Sequence, residues 1–152
     1  EDGLTNYELF DIAKKNRIKL HKVIMMDELK RVRKTNFNII LNLQNSTDGG
    51  GTHWVVFFAR GKNCLYIDSF GAFPHATVIK WCVKNKMKLG YSAYICQHLK
   101  SQRCGYYCLQ AIKYLQDTKD NQLFEKGNNY VNEYEPERSK NELIVMQKLK
   151  QV

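Results

Sequence analysis

The chain lacks several features that mark common protein classes. Its five cysteines stand at irregular spacings with no CxxC pair, so neither a disulfide framework nor a structural zinc site is expected. No apolar run approaches the ~20 residues that span a bilayer, and the first residues lack the apolar stretch of a signal peptide. We therefore expect no metal ion, no membrane anchor and no secretion, with the thiols in a reducing compartment.

Repeats and low-complexity linkers are also absent, and acidic residues are scarce. Without a linker, residues 1–152 are expected to form one domain with a continuous core. Asp and Glu number 15 against 24 Lys and Arg, a net charge of +9, and such a surface attracts polyanions through their phosphates. A solvated lysine-rich surface is the alternative that composition leaves open. The candidate nucleic-acid-binding residues are Lys14, Lys15, Arg17, Arg31, Arg33 and Lys34.

Capping signals and apolar periodicity predict helices towards both ends of the chain. A Thr-x-x-Glu capping box at residues 5–8 predicts the start of the first helix, and a Ser-x-x-Glu box at residues 139–142 that of the last. Apolar side chains recur at helical spacing over residues 104–115, which predicts another helix there. Pro74 occupies a position where a further helix begins.

Four apolar, β-branched runs between these helices predict a central sheet. They are residues 37–43, 53–59, 64–68 and 91–95. The short glycine-containing link after the second run indicates a hairpin with the third, whereas residues 18–35 predict irregular structure. Helices on either side of a sheet make the expected fold class α+β.

The hairpin brings a histidine and an acid to the same face of the sheet. A turn at residues 60–61 sets His53 opposite Asp68, and a turn centred on residues 61–62 sets Asp68 opposite Val55, diagonal to His53. In both registers the two side chains lie about 5 to 8 Å apart at Cβ. A carboxylate at that distance can accept a hydrogen bond from the imidazole and fix its tautomer. A structural His–Asp pair at the end of a sheet is the alternative.

Cys104 is the candidate nucleophile. It stands where a polar, irregular stretch, residues 98–103, meets an apolar helix, and the N-terminal end of a helix stabilises a thiolate. Gly105 is expected to let a substrate backbone approach. Gln97 is placed to donate to an oxyanion alongside the Cys104 N–H, and we prefer it to Gln102, which is only two residues from the cysteine. A small packing residue is the alternative for the cysteine.

Four short motifs occur in a fixed order. They are Gly-Thr-His-Trp at 51–54, Tyr-Ile-Asp-Ser-Phe-Gly at 66–71, Gln97, and Cys-Gly-Tyr-Tyr-Cys at 104–108. The ordered set resembles the adenain-type cysteine proteases, the maturation proteases of adenoviruses, virophages and Polinton/Maverick elements. In that family the order is His, acid, Gln, Cys, with the Gln seven residues before the nucleophile, as here. The similarity covers residues 4 to about 116.

The resemblance implies a mixed sheet between helices, papain-like site geometry and an endopeptidase that cleaves viral structural precursors, often at small residues such as glycine. It implies catalytic roles for Cys104, His53, Asp68 and Gln97, and a place beside the site for Trp54, with a plain core tryptophan as the alternative. The chemistry needs no cofactor. Adenoviral members are stimulated by DNA and by a short viral peptide, so both are candidate activators here. We expect a monomer in the virion and in the cytoplasm or nucleus of the host cell.

Two competing interpretations stay open. SUMO- and ubiquitin-like-specific proteases share the His-Trp and Cys-Gly motifs, but usually carry Asp before the nucleophile and a Gln six residues ahead. Arg103 and the gap of seven fit the adenain type better, although Asp68 is more typical of the SUMO-type relatives than of adenoviral enzymes, which commonly have Glu. The second interpretation is a basic DNA-binding virion protein whose cysteine site is idle.

Overall fold

The computed structural model describes residues 3–44 and 53–151, so Gly51 and Thr52 of the first motif lie outside the described residues. Five strands form one sheet: β1 (Lys22–Met25), β2 (Phe37–Asn42), β3 (Trp54–Arg60), β4 (Asn63–Ile67) and β5 (Lys88–Ser92). The α-helices are α1 (Asn6–Lys15), α2 (Ala76–Lys84), α3 (Cys104–Leu115), α4 (Leu123–Tyr130) and α5 (Arg138–Lys148).

The sheet is mixed and follows chain order, β1-β2-β3-β4-β5. The two outer pairs, β1 with β2 and β4 with β5, are parallel, and β3 is antiparallel to both of its neighbours. Parallel pairs require a connection that crosses a face of the sheet, and α2 makes that connection between β4 and β5. The expected α+β class with a mixed sheet between helices is confirmed.

Both faces of the sheet are buried by helices. Val56 and Phe58 of β3 pack with the apolar sides of α1, α3, α4 and α5 in one cluster. Val55 and Phe57 point to the other face, where α2 and a 3-10 helix, Met26–Arg31, cover them. Successive side chains of a strand alternate between faces, so a strand covered on both sides is apolar throughout. The central strands therefore form a rigid support for the loops at their ends.

β3 and α3 lie side by side and run in the same direction. At one end the Trp54 N–H meets the Cys104 sulfur at 3.4 Å, and at the other an Arg60 guanidinium nitrogen meets the Gln116 carbonyl at 3.2 Å. The two elements match in length, since seven strand residues extend roughly 20 Å and twelve helical residues roughly 18 Å. The start of the strand is thereby aligned with the start of the helix.

Two predictions about strands were wrong. Residues 18–35 are not irregular, because they contain β1 and the 3-10 helix, and β1 forms through pairing with β2, from Lys22 opposite Ile39 to Met25 opposite Asn42. The fourth predicted strand, 91–95, is instead β5, which begins three residues earlier and pairs with β4. Strand formation depends on the partner more than on local preference, and neither partner lies nearby in sequence.

The C-terminal region packs onto the core. Leu123 and Tyr130 of α4 and Val145 of α5 belong to the same buried cluster as α3. The predicted capping box at 139–142 does not form, because α5 begins at Arg138 and the Ser139 hydroxyl donates to the Glu137 carboxylate. Among the described residues, no helix combines the length and the apolar character needed to cross a lipid bilayer.

Candidate active site

Cys104 is the first residue of α3, as predicted, and its side chain is 4% exposed. The polar stretch before it is held by Ser101, whose hydroxyl accepts the Arg103 N–H at 3.1 Å, so the chain enters the helix in a fixed direction. The sulfur accepts the backbone N–H of Trp54 at 3.4 Å. A main-chain donor and a helix N-terminus both stabilise negative charge on sulfur. The position suits a nucleophilic thiolate.

The β3–β4 hairpin adopts the second of the two predicted registers. Arg60 pairs with Asn63, so the turn residues are 61 and 62, and Gly61 takes the positive φ of 58° that such a turn requires. Val56 pairs with Ile67, which places Asp68 opposite the residue before Val56 and diagonal to His53. His53 Nε2 and Asp68 Oδ1 lie 2.8 Å apart, with side chains 14% and 2% exposed.

The surroundings of His53 favour its protonated form. Burial is the largest influence and lowers the pKa, but the hydrogen bonds and charges of Asp68 and Cys104 together outweigh it and raise the pKa from 6.5 to about 9. Because Nε2 is bonded to Asp68, Nδ1 is the nitrogen left for the Cys104 sulfur. A charged imidazole between a carboxylate and a thiol is the arrangement of a thiolate–imidazolium pair.

Phe70 supports this pair, and sequence analysis assigned it no role. Its ring stacks on the imidazole of His53, with centroids 5.0 Å apart and planes 25° apart. Its backbone N–H donates to Asp68 Oδ1 at 2.8 Å, the same oxygen that His53 contacts. The bond from Asp68 to the N–H two residues on is an Asx turn, which the sequence could have suggested. The ring contact has no comparable signal in the sequence.

Gln97 lies in the segment between β5 and α3 and is fully buried. Its amide oxygen accepts from the Ser69 hydroxyl at 2.5 Å, and its amide nitrogen donates to the Ser101 carbonyl at 3.0 Å and hydroxyl at 3.3 Å. These contacts tie it to the residues that precede Cys104. Its role as an oxyanion donor stays a prediction.

The structure places Trp54 beside the site and gives Gly105 a different surrounding from the one expected. The indole N–H of Trp54 donates to the Leu4 carbonyl at 2.9 Å. Gly105 is buried under the N-terminal segment, and a Cβ there would lie 3.0 Å from Leu9 Cδ2 and 3.1 Å from Leu4 Cδ1. The expectation that Gly105 leaves room for a substrate is therefore corrected: the missing side chain makes room for α1 and for the residue before its cap.

The six candidate nucleic-acid-binding residues are all exposed. Lys14 and Lys15 form the last turn of α1, and Arg17 follows it. Arg31 and Arg33 line a cavity of about 340 Å³ together with residues at the starts of β1 and β2. Exposure is what both nucleic-acid binding and a solvated surface require, so the nucleic-acid role stays a prediction.

Similar structures are found by fold, whereas no family model and no curated protein matches the chain. A crystal structure of ASFV pS273R protease aligns with 97% of this chain and 66% of its own, at a TM-score of 0.60 and 20% identity. The selenomethionine form of that protease aligns with 95% of this chain and 67% of its own, at a TM-score of 0.55 and 18% identity. The central domain of Lpg1148 from Legionella pneumophila aligns with 99% of this chain and 96% of its own, at a TM-score of 0.56 and 9% identity.

The chain therefore shares the fold of the ASFV pS273R protease, with a mixed sheet between helices. The chain spans about two thirds of the length of the ASFV protease chains that it resembles. At these identities the likeness concerns the fold, and the chemistry of this chain is argued from its own residues.

Proposed function

We propose that this protein is a cysteine endopeptidase with Cys104 as nucleophile, His53 as general acid and base, and Asp68 as the group that orients His53. One observation carries the proposal. Three side chains from separate segments form one buried group, in which His53 contacts Asp68 at 2.8 Å and its pKa is raised to about 9 by Asp68 and Cys104 against the effect of burial. The fold that the chain shares with ASFV pS273R protease supports the same assignment.

In the proposed mechanism the Cys104 thiolate attacks the scissile carbonyl carbon, and the carbonyl electrons move to oxygen as the C–S bond forms. The Cys104 N–H and the Gln97 amide stabilise this oxyanion. Its collapse breaks the C–N bond while the His53 imidazolium gives its proton to the leaving amine. His53 then accepts a proton from water, which attacks the thioester and releases the acid and the thiolate.

The substrates that we propose are precursors of viral structural proteins, cut at small residues such as glycine, in the virion and the infected cell. The ordered motifs support this class through their resemblance to adenain-type enzymes, and so does the likeness to ASFV pS273R protease. The competing substrate is a ubiquitin-like modifier.

The test offers both substrates to the purified chain. Wild type is incubated with a peptide library rich in glycine and alanine, and separately with a ubiquitin-like fusion, and products are identified by mass spectrometry. We expect peptide cleavage that disappears in Cys104→Ala and in His53→Ala. Cleavage restricted to the fusion would assign the SUMO-type activity instead, and equal product in wild type and Cys104→Ala would end the proposal.

We further propose DNA as a partner through the exposed cations of α1 and of the segment before β2, with a viral peptide as a second candidate activator of the monomer. Each phosphate contact makes binding more salt-dependent. The triple variant Arg31→Glu, Arg33→Glu, Lys34→Glu is expected to weaken duplex binding and flatten its salt slope. The triple variant Lys80→Glu, Lys84→Glu, Lys86→Glu, at exposed positions of α2 and of the turn after it, makes the same change in net charge and is the matched control. An equal loss in both variants would indicate net charge alone.

A further inference from the structure

A buried network of hydrogen bonds links the turn after Asp68 to the start of α3. Ser69, 5% exposed, donates from Oγ to Gln97 Oε1 at 2.5 Å. The Gln97 amide nitrogen donates to the carbonyl of Ser101 at 3.0 Å. The Ser101 hydroxyl accepts the N–H of Arg103, the residue before the nucleophile, at 3.1 Å. The network thus ends one residue before Cys104.

The partners of the Gln97 amide fix which of its ends faces this segment. An amide oxygen only accepts hydrogen bonds and an amide nitrogen only donates them. A backbone carbonyl only accepts, so the side facing Ser101 has to be the nitrogen, while the Ser69 hydroxyl supplies a proton to the oxygen. An inverted amide would put its oxygen against the Ser101 carbonyl with no proton between them. The Ser101 carbonyl therefore selects the orientation, and the Ser69 hydroxyl, which can donate as well as accept, holds the oxygen end of the amide in it.

Residue 69 also holds Gln97 through the main chain. The Ser69 carbonyl accepts the N–H of Cys96 at 3.0 Å and that of Gln97 at 3.1 Å. These two bonds do not involve the hydroxyl, so they persist when the hydroxyl is removed. Replacing the Ser69 side chain therefore changes what holds the Gln97 amide, while the backbone of Gln97 stays in place.

We propose that Ser69 is a positioning residue for oxyanion stabilisation, whose hydroxyl holds the Gln97 amide with its N–H groups towards the carbonyl oxygen of a substrate attacked by Cys104. The inference rests on the proposed function and adds a residue to it. In the present structure both amide contacts on the nitrogen side go to Ser101. The longer one, 3.3 Å to the hydroxyl, is the one that an oxyanion replaces, because a charged acceptor binds an N–H more strongly than a neutral one.

The test compares two reactions of the Cys104 thiolate. Alkylation by chloroacetamide forms a C–S bond with loss of chloride and builds no oxyanion. Acylation by p-nitrophenyl acetate passes through a tetrahedral oxyanion and releases p-nitrophenolate. In Ser69→Ala we expect acylation about tenfold slower and alkylation within about twofold of wild type. Gln97→Ala is expected to slow acylation about 100-fold, and adding Ser69→Ala to it should slow acylation no further.

Three variants make the result decisive. Ser69→Thr keeps the hydroxyl and should retain most of the acylation rate, whereas Ser139→Ala, which removes an exposed serine hydroxyl, should change neither reaction. Ser69→Gly replaces Ser69→Ala if circular dichroism shows that the latter does not fold. Unchanged acylation, equal slowing of both reactions, or slowing that adds to that of Gln97→Ala would overturn the inference. A wild type that is not acylated at all would overturn the proposed function and the inference together.

Discussion

The two ends of the β3–α3 pair bury charged groups in opposite ways. At the start of both elements, His53 contacts Asp68 and also interacts with Cys104. At the far end, Arg60, 6% exposed, bonds to the main chain. The same strand and helix thus support a histidine–carboxylate contact at one end and a cation held mainly by backbone carbonyls at the other.

The guanidinium of Arg60 is surrounded by hydrogen-bond acceptors. It donates to the side chain of Asn38 and to the carbonyls of Phe37, Ala59, Leu115, Gln116 and Thr118. The carbonyls of residues 115 and 116 are the C-terminal end of α3, where the helix dipole favours a cation. Burial lowers the pKa of Arg60, opposed by the charge of Asp117. Its contribution is therefore to stability.

Under the proposed function, the type of hydrogen-bond partner distinguishes the buried group that reacts from the buried cation that stabilises the fold. Backbone acceptors cannot titrate, so Arg60 is fixed in one state. In the proposed mechanism His53 gives a proton to the leaving amine and accepts one from water, so its state changes during the reaction. Burial alone does not make this distinction, because Cys104 and Arg60 are 4% and 6% exposed.

The largest effect on activity is expected at the end that holds His53 and Asp68. Asp68→Asn should lower kcat/KM by about 100- to 10,000-fold, because the amide no longer favours the protonated, correctly oriented imidazole. The melting temperature should fall far less than the activity does. Asp117→Asn, an exposed acid paired with Lys19, is the control and should keep full activity. Full activity in Asp68→Asn would remove the orienting role.

At the Arg60 end, substitution is expected to change stability and to leave activity unchanged. Arg60→Met should lower the free energy of unfolding by about 3 kcal/mol, because several buried carbonyls lose their donor. The kcat/KM of the folded fraction should stay unchanged. Urea denaturation gives the first quantity and an active-site titration with chloroacetamide normalises the second. Lys62→Met, at an exposed position of the adjacent turn, is the control. A specific loss of activity in Arg60→Met would show that the two ends are coupled.

The protonation of His53 is expected to make both stability and activity depend on pH. Because the pKa of His53 in the folded protein is about 9, above its usual 6.5, protonation of His53 stabilises the fold. The contribution, about 3 kcal/mol, is fully present below pH 6.5 and is lost as the pH rises through 9. Activity should fall over the same upper range as the imidazolium disappears.

An NMR titration of the His53 ring protons measures this shift directly. The midpoint should lie near pH 9 in wild type and lower in Cys104→Ala and in Asp68→Asn, since each removes a group that raises the pKa. A wild-type midpoint near 6.5 would contradict the ion pair.

The smallest effect is expected at Phe70. Phe70→Ala removes the ring that stacks on His53 but keeps the backbone N–H to Asp68, so kcat/KM should fall about tenfold. Phe70→Tyr keeps a stacking ring and should recover most of the activity. The measurement is kcat and KM on one peptide substrate. A loss confined to KM would place the ring in substrate binding instead.

Local signals predicted much of the fold and of the site. The capping box at residues 5–8 forms, α3 begins at Cys104, and the hairpin register follows one of the two alternatives. These features depend on residues close in sequence or on one tight turn. The hairpin accounts for the His53–Asp68 contact and the helix start for the position of Cys104, whereas their meeting depends on the packing of α3 beside β3, which only the ordered motifs of the resembled family implied.

What the sequence did not reveal depends on long-range packing. β1 forms against a strand that begins 15 residues further along the chain, and Glu142, predicted to cap α5, is instead hydrogen-bonded by the Tyr107 hydroxyl of α3. Arg60 resembled a turn residue, because no local pattern shows that carbonyls from β2 and α3 surround it. The surroundings of Gly105 likewise depend on where α1 docks.

Selective alkylation tests the central claim most directly. All five cysteines are free thiols and 0–4% exposed, so accessibility alone predicts equal labelling. Sub-stoichiometric chloroacetamide at pH 7, followed by peptide mass spectrometry, should label Cys104 before the other four. The selectivity should vanish in His53→Ala and persist in His21→Ala, an exposed histidine. Equal labelling of all five thiols in wild type, or selectivity that survives the loss of His53, would contradict the thiolate–imidazolium pair.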